Sequence, residues 1–137
     1  MKEKTATDLI HEVMPLTATL GVRADKYTPE EVVLSLDWVP ALCTTNGILH
    51  GGVIMALADS AGAACAFLNL PKDASGTATI ESKTNFLGAV STGSVTARST
   101  PLHAGGTTIV VETAVRDATG RLVAKVTQTQ MVLRPRG

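Results

Sequence analysis

The sequence has few aromatic residues, no net charge and only two cysteines. Phe, Trp and Tyr make up 3% of its 137 residues, which leaves no aromatic platform on which nucleobases or sugars could stack. Twelve Lys and Arg side chains balance twelve Asp and Glu side chains, so no basic field is present that would hold nucleic acid. Cys43 and Cys65 are too few for a disulfide framework. These shortages disfavour nucleic-acid-binding proteins and disulfide-stabilised secreted domains.

Targeting and membrane signals are also missing from the pattern. Residues 1–8 are polar and charged and lack the apolar core of a signal peptide. The longest apolar run, residues 53–70, approaches the length of a membrane span but contains Asp59. A carboxylate near the middle of a bilayer costs several kcal/mol. The sequence therefore predicts a cytoplasmic protein that binds neither nucleic acid nor membrane, with the apolar run as a buried helix.

Apolar residues are what the chain has in abundance. They make up 45% of the sequence against 18% for charged residues, a balance that excludes disorder. We expect one domain over residues 1–137, large enough to bury about two-thirds of its unfolded surface. Because a neutral, weakly charged monomer would be poorly soluble, we expect another copy of the chain to cover part of the apolar surface.

The first half of the chain predicts two helices and a hairpin. A short helix, two strands and a long helix are expected, in this order, over residues 8–14, 16–27, 32–39 and 51–70. Pro15 ends the short helix, and Pro71 with the polar residues after it stops the long one. The two strands are expected to pair as a hairpin.

After the long helix, alternation predicts strands only. They are expected over residues 77–87, 93–103, 107–116 and 121–133. Short Gly-containing turns at 105–106 and 117–120 favour an antiparallel meander of consecutive strands, and the whole order favours an α+β fold. A long helix that is apolar nearly all round must be buried on most of its surface. A strongly curved sheet that wraps the helix meets this need.

Asp59 is the residue of the long helix that core packing does not explain. An unpaired carboxylate is costly in apolar surroundings. Helical spacing places it on a stripe of mostly small residues: Gly52, Met55, Ala56, Asp59, Gly62, Ala63 and Ala66. In one interpretation neighbouring hydroxyls or amides satisfy the carboxylate. In the other, Asp59 is a general base or nucleophile in a semi-apolar pocket.

The residues before the helix favour the second interpretation. Gly51 and Gly52 at a helix N-terminus leave backbone N–H groups that point outward at the positive end of the helix dipole. Such a place suits a carbonyl oxygen that becomes an oxyanion. His50 alone is typical of a turn or of packing. Together with the two glycines and a carboxylate nine residues later, it indicates a catalytic site.

The run from His50 to Ala61 resembles the signature of hotdog-fold acyl-CoA thioesterases, and among them the phenylacetate-pathway (PaaI-type) branch. The resemblance extends over residues 8–133 and includes Asn85-Phe86-Leu87 and the hairpin at 117–124. It implies a long central helix wrapped by a curved antiparallel sheet of about six strands. It also implies hydrolysis of an acyl-CoA, aryl-acyl-CoA included, to free acid and CoA. Metal and cofactor are not required. The expected assembly is a homo-oligomer, a dimer or a dimer of dimers, with active sites shared between chains.

The resemblance also implies roles for individual residues. Asp59 matches the acidic helix residue that acts as general base or nucleophile, and Gly51 matches the glycine whose N–H polarises the thioester carbonyl. His50 matches the histidine that orients the thioester or the departing thiol. The implied substrate-binding residues are Thr44, Asn46, Gly52, Thr79 and Phe86. Many relatives have Asn or Gln at the position of Thr44. Either Thr44 or Asn46 is therefore a candidate for that polar role.

Other functions are open to the same residues. A hotdog enoyl-CoA hydratase or dehydratase also uses a histidine and a carboxylate, although in a different arrangement. A non-catalytic acyl-CoA-binding protein normally carries a DNA-binding domain, for which 137 residues leave no room. A triad of Cys43, His50 and Asp59 is disfavoured because nothing marks Cys43 as activated. A zinc site built on the three histidines is disfavoured because no ligand-spacing motif is present.

Overall fold

The computed structural model describes residues 2–136, which form one antiparallel sheet of six strands and three α-helices. The helices are α1 (Ala6–Val13), α2 (Pro15–Leu20) and α3 (Gly51–Leu68). The strands are β1 (Arg23–Tyr27), β2 (Val32–Asp37), β3 (Gly76–Phe86), β4 (Ser94–Ala104), β5 (Thr108–Asp117) and β6 (Leu122–Leu133). The strand order across the sheet is β1-β2-β4-β5-β6-β3. The predicted α+β fold, with about six strands and a long central helix, is confirmed.

The centre of the fold is α3, which packs against β2, β3, β4, β5 and β6. Its six alanines are strong helix formers, and their small side chains let the curved sheet approach closely. Ile54, Leu57, Ala58, Ala61 and Cys65 are buried on the side of the sheet. By length and a mean hydropathy of 1.6, α3 is the one helix of residues 2–136 that could cross a membrane. Here 44% of that helix is buried within the protein.

One face of α3 stays uncovered. Its exposed residues are Gly52, Met55, Asp59 and Phe67, with Ala56 and Ala63 half-buried beside them, and we call these six residues the open stripe. They recur at the three- and four-residue spacing of one helix face. The predicted stripe is therefore partly right, but Gly62 and Ala66 are buried. Asp59 lies in the middle of the open stripe.

The predicted strand over residues 16–27 is wrong in its first half. Pro15 ends α1 but begins α2, because proline is favoured in the first turn of a helix, where its missing N–H costs nothing. The Thr17 hydroxyl donates to the carbonyl oxygens of Ile10 and Met14, 3.0 and 2.8 Å away, and so fastens α2 to α1. Gly21, with φ +72°, ends α2 in the left-handed conformation. The strand begins only at Arg23.

The predicted meander of the last four strands is also partly wrong. β4, β5 and β6 pair in sequence, but β3 pairs with β6 and not with β4. After β3 the chain crosses to the other side of the sheet, where β4 pairs with β2. β3 is thus an edge strand of 11 residues whose burial pattern is mostly exposed.

Candidate active site

His50 begins α3 and shapes the backbone at its first turn. Its Nδ1 accepts the N–H of Gly52 at 2.8 Å, so the imidazole is the N-cap of the helix. Gly52 is required here because a Cβ at this position would lie 2.9 Å from Nδ1. An Nδ1 that accepts has no proton, so the proton of the neutral ring is on Nε2. His50 therefore presents an Nε2–H donor at the helix start.

The N–H of Gly51 is free. Of the first four amides of the helix, that of His50 donates to Leu42 O, that of Gly52 to His50 Nδ1 and that of Val53 to His50 O. Within residues 2–136 the Gly51 N–H has no acceptor. It points out of the positive end of an 18-residue helix. This is a donor suited to an oxyanion.

Phe86 forms an apolar wall beside this donor. It is the last residue of β3, and a Cβ on Gly51 would lie 3.2 Å from its Cζ atom. The Phe86 ring is still 51% exposed. The structure thus brings together His50, Gly51, Gly52 and Phe86, four of the residues predicted for the site.

The loop before α3 carries Thr44 and Asn46. Cys43 pairs with Leu49, and the Thr44 N–H donates to Ile48 O at 2.7 Å, which makes the loop a narrow turn. Asn46 lies at its tip with φ +63°, in the left-handed region that Asn tolerates better than most residues. The turn alone therefore gives a reason for Asn46. Neither side chain makes a hydrogen bond within residues 2–136, and both residues are exposed.

Asp59 lies two turns further along α3 and has one polar partner. Gln128 Nε2 donates to Asp59 Oδ1 at a long 3.4 Å. Burial raises the pKa of the Asp59 carboxyl, and the Gln128 hydrogen bond opposes that effect only in part. The carboxyl is therefore a stronger base than an ordinary Asp and still reaches the open stripe.

Two buried glutamines on β6 support this part of the site. Gln128 and Gln130 are 0% and 1% exposed, on the inner face of β6 between Val126 and Val132. Gln130 Nε2 donates to Thr79 Oγ1 at 2.7 Å, so predicted residue Thr79 contacts the glutamine two positions after the one that contacts Asp59. The sequence analysis missed both glutamines. The available signal was that inward-facing positions, occupied by valine on either side, hold Gln.

The predicted residues therefore form two groups within one chain. His50, Gly51, Gly52 and Phe86 lie at the start of α3. Asp59 lies near its middle, and Thr79 lies on β3 against Gln130. Eight residues separate Gly51 from Asp59, which is about 12 Å along the helix axis.

An apolar cavity opens next to the Asp59 group. Its volume is about 320 Å³, and it lies between α1, the C-terminal half of α3 and the start of β3. Ala63, one turn beyond Asp59, and Phe67, two turns beyond, line one wall. Val13 and Tyr27 lie opposite them. Ala63 is thus the lining residue of α3 that is nearest to Asp59 in sequence.

The alternative catalytic groups are not assembled. The Cys43 thiol donates to Val39 O at 3.5 Å, and burial raises the pKa of Cys65 to about 11, so that thiol is unreactive at neutral pH. His11 contacts Val22 O at 2.7 Å, far along the chain from His50 and His103. Within residues 2–136 no three His, Cys, Asp or Glu side chains converge on one point.

Comparison with known proteins agrees with this fold. The family model of the thioesterase superfamily matches residues 46–124. That range contains the start of α3, Asp59 and β3, and more than half of the chain. The fold is the hotdog fold, and the chain belongs to the thioesterase superfamily.

Individual relatives of similar sequence or structure are esterases and thioesterases by name. An inferred esterase of Saccharolobus solfataricus is 33% identical over 115 residues, which are 84% of this chain and 81% of that protein. The structure of an inferred esterase from Mycobacterium tuberculosis superposes with a TM-score of 0.86 at 27% identity, over 90% of this chain and all of the other. A thioesterase from Haemophilus influenzae gives a TM-score of 0.86 at 25% identity, over 97% and 93% of the two chains. Thioester or ester hydrolysis is the activity these relatives have in common.

His50 caps α3 through Nδ1 and presents an Nε2–H donor, and these two roles can be separated by substitution. His50→Ala removes the N-cap and is expected to lower the free energy of unfolding by about 1 kcal/mol. His50→Asn keeps a capping acceptor, since Asn is a favoured N-cap, and is expected to stay near the wild-type stability while losing the Nε2–H donor. Urea unfolding at fixed protein concentration measures both. Equal losses in the two variants would contradict the capping role.

Proposed function

We propose that the chain hydrolyses an acyl-CoA thioester to a free acid and CoA, with aryl-acyl-CoA among its substrates, as in the phenylacetate-pathway branch. The observation that carries the proposal is the unpaired Gly51 N–H at the start of α3. A donor in that place polarises a thioester carbonyl and binds the oxyanion that forms on attack. One such donor contributes about 3–4 kcal/mol to the transition state.

Asp59 supplies the second part of the chemistry. Acting as a general base, it takes a proton from the attacking water, a contribution of about 10²–10⁴-fold. Acting as a nucleophile, it attacks the thioester carbon, expels the thiolate and forms a mixed anhydride that water then hydrolyses to the free acid. The raised pKa of Asp59 makes the carboxylate more basic in either role. The Thr79 hydroxyl accepts from Gln130 and keeps its own hydrogen to position the water.

The leaving group of the substrate needs little catalytic help from the protein. A thiolate is a good leaving group and departs without a general acid. His50 Nε2–H, at the same end of the helix as the Gly51 N–H, is placed to orient the thioester or the departing thiolate. Thr44 and Asn46, exposed in the preceding loop, are the candidates for the remaining polar contact. Metal and cofactor have no part in this scheme.

The distance between the two groups calls for a second copy of the chain. The carbonyl oxygen lies about 3 Å from the N–H that binds it, and the attacking atom lies about 3–3.5 Å from the carbonyl carbon. Together these distances cover little more than half of the 12 Å that separates Gly51 from Asp59 along the helix axis. Two antiparallel α3 helices, packed through their open stripes, would bring the Gly51 N–H of one protomer to Asp59 of its partner. The midpoint of positions 51 and 59 is Met55, whose 42% exposure fits a residue on the two-fold axis.

The edge strand β3 supports the same assembly. Its outer backbone groups have no strand partner within residues 2–136, and its Ile80 and Phe86 are exposed. An exposed edge of 11 residues is normally covered in a native protein. We propose a homodimer with two shared active sites, which can pair further into a dimer of dimers, in the cytoplasm.

The cavity beside Asp59 indicates where the acyl group lies. It begins one helical turn from the carboxylate and is lined by apolar side chains such as Val13 and Phe67. Its volume of about 320 Å³ fits an aryl ring or a medium-length chain. An acyl group in this cavity would hold the thioester carbon next to Asp59 and leave the CoA moiety outside.

Removing the carboxylate tests the reaction class. Asp59→Asn keeps the shape and the Gln128 contact, and thiol release is expected to fall by at least about 10²-fold. The thermal midpoint at pH 7 is expected not to fall, because a folded pKa above the usual Asp value means that folding disfavours the ionised form. A panel of acyl- and aryl-acyl-CoA thioesters with a thiol-reactive dye measures the activity. Near-normal release by the variant, or hydration of enoyl-CoA without thiol release by the wild type, would contradict the proposal.

The Gly51 donor can be removed without removing the helix. Gly51→Pro removes the N–H and adds a ring, at a first-turn position where proline is favoured. The preceding residue, with φ −62° and ψ 132°, suits a following proline. We expect kcat to fall by about 10²–10³-fold. Gly51→Ala is the matched control, since it meets Phe86 in the same way but keeps the N–H. Equal losses in the two variants would show that the Phe86 contact, not the donor, is responsible.

Mixing the two inactive variants tests the shared site. If each site takes Gly51 from one protomer and Asp59 from the other, a dimer of Asp59→Asn with Gly51→Pro has one intact site. Random exchange in a two-fold dimer then restores about a quarter of the wild-type activity. A chain with both substitutions is the control, because mixing it with either single variant creates no intact site and restores no activity. No recovery in the mixture, after exchange is verified by mass, would contradict a shared site.

A further inference from the structure

Gln128 occupies a position that stability alone does not favour. Its side chain is wholly buried on the inner face of β6, beside Val126. Nε2 donates to Asp59 Oδ1 at 3.4 Å, and Oε1 has no hydrogen-bond partner within residues 2–136. A buried carbonyl left unpaired costs about 1–3 kcal/mol. An apolar side chain of the same length would avoid that cost.

Gly62 is a second residue that lowers stability, and it lies against Gln128. It lies inside α3, where glycine costs about 1 kcal/mol relative to alanine. A Cβ at this position would overlap the Gln128 amide, with Cδ only 2.6 Å away. Gly62 is also three residues after Asp59, on the adjacent turn. The missing side chain of Gly62 is therefore the space in which the Gln128 amide lies when it reaches Asp59.

No other polar or charged group takes part in this contact. α3 contains no charged residue besides Asp59, and α2 has no titratable residue. Five charged residues in the strands that pack on α3 alternate with the inward side chains and so lie on the outer face: Glu81, Lys83, Arg98, Glu112 and Lys125. Glu112 and Lys125 form an ion pair there at 2.6 Å. At the strand ends, Asp37 accepts from Arg23, Arg116 donates to Gly120 O, Asp117 accepts from Thr119 and Arg121, and His103 is exposed. Gln128 is thus the one group of residues 2–136 that hydrogen-bonds the Asp59 carboxylate.

We propose that Gln128 is a positioning residue for Asp59 and that Gly62 is kept as glycine to leave room for its amide. The N–H of Gln128 fixes the carboxylate rotamer on the open stripe and stabilises its ionised form against the apolar surroundings. Two destabilising residues are thereby explained by one contact. The proposal rests on the proposed function, in which Asp59 is the reacting carboxylate.

Replacing the amide separates positioning from packing. Gln128→Met and Gln128→Leu remove the donor and keep an apolar side chain of similar size. We expect folds at least as stable as the wild type in urea unfolding. We also expect the Asp59 titration to move to higher pH by about half a unit to one unit, because the ionised form loses its only hydrogen bond. Carbon-13 NMR of the Asp59 carboxyl group measures this titration directly. The fall of kcat/KM at acid pH measures the same ionisation through the activity.

Two controls test the residues involved. Gln130→Met removes an equally buried amide from the same strand, but one that donates to Thr79, and is expected to leave the Asp59 titration unmoved. Gly62→Ala is expected to displace the amide, raise the Asp59 titration and destabilise the fold. In a Gln128→Ala background the same Gly62→Ala change is expected not to destabilise, so the two substitutions are strongly non-additive.

The results distinguish this proposal from the proposed function. A less stable Gln128→Met and Gln128→Leu with an unmoved Asp59 titration would make Gln128 a packing residue and overturn the proposal. Additive effects of Gly62→Ala and Gln128→Ala would do the same. A shifted NMR titration in a wild-type protein that hydrolyses none of the thioesters would support the positioning role and contradict the proposed function alone.

Discussion

The burial of α3 is the constraint on which the rest of the structure depends. A helix that is apolar on nearly every side has to be covered on nearly every side, and a six-stranded sheet bends around it to do so. What the sheet leaves uncovered is the N-terminus and the open stripe. The two groups of α3 that the proposed reaction uses, the free Gly51 N–H and the Asp59 carboxylate, lie there. The candidate site thus lies on the part of α3 that is not packed in the core.

Helix geometry also connects the site to assembly. With about 12 Å between the donor and the base, one chain would hold both halves of the proposed machinery but not one whole site. Antiparallel packing of two open stripes would complete two sites at once and cover the apolar residues Met55 and Phe67. The excess of apolar residues, the exposed edge β3 and the divided site would then have one common explanation in the homodimer.

The parts of the fold predicted from sequence are those with local signals. Alternation found the strands, and the run from His50 to Asp59 located the helix start and the carboxylate. Residues 16–20 were predicted as strand because Leu20, Val22 and Ala24 alternate, but Pro15 and Gly21 begin and end a short helix there. The β3–β6 pairing joins residues that are 38 to 57 positions apart in sequence, so no local pattern reveals it. Gln128 and Gln130 were missed because TQTQ looks polar throughout, and only packing against Gly62 and Thr79 makes them parts of the site.

The most direct test of the account is a crystal structure of the Asp59→Asn variant with a bound acyl-CoA substrate. The account predicts a two-fold dimer in which the thioester oxygen accepts the Gly51 N–H of one protomer at about 3 Å. The thioester carbon would lie beside position 59 of the partner, with the acyl group in the cavity next to Ala63. A thioester bound away from the start of α3, or one that contacts positions 51 and 59 of the same chain, would contradict it.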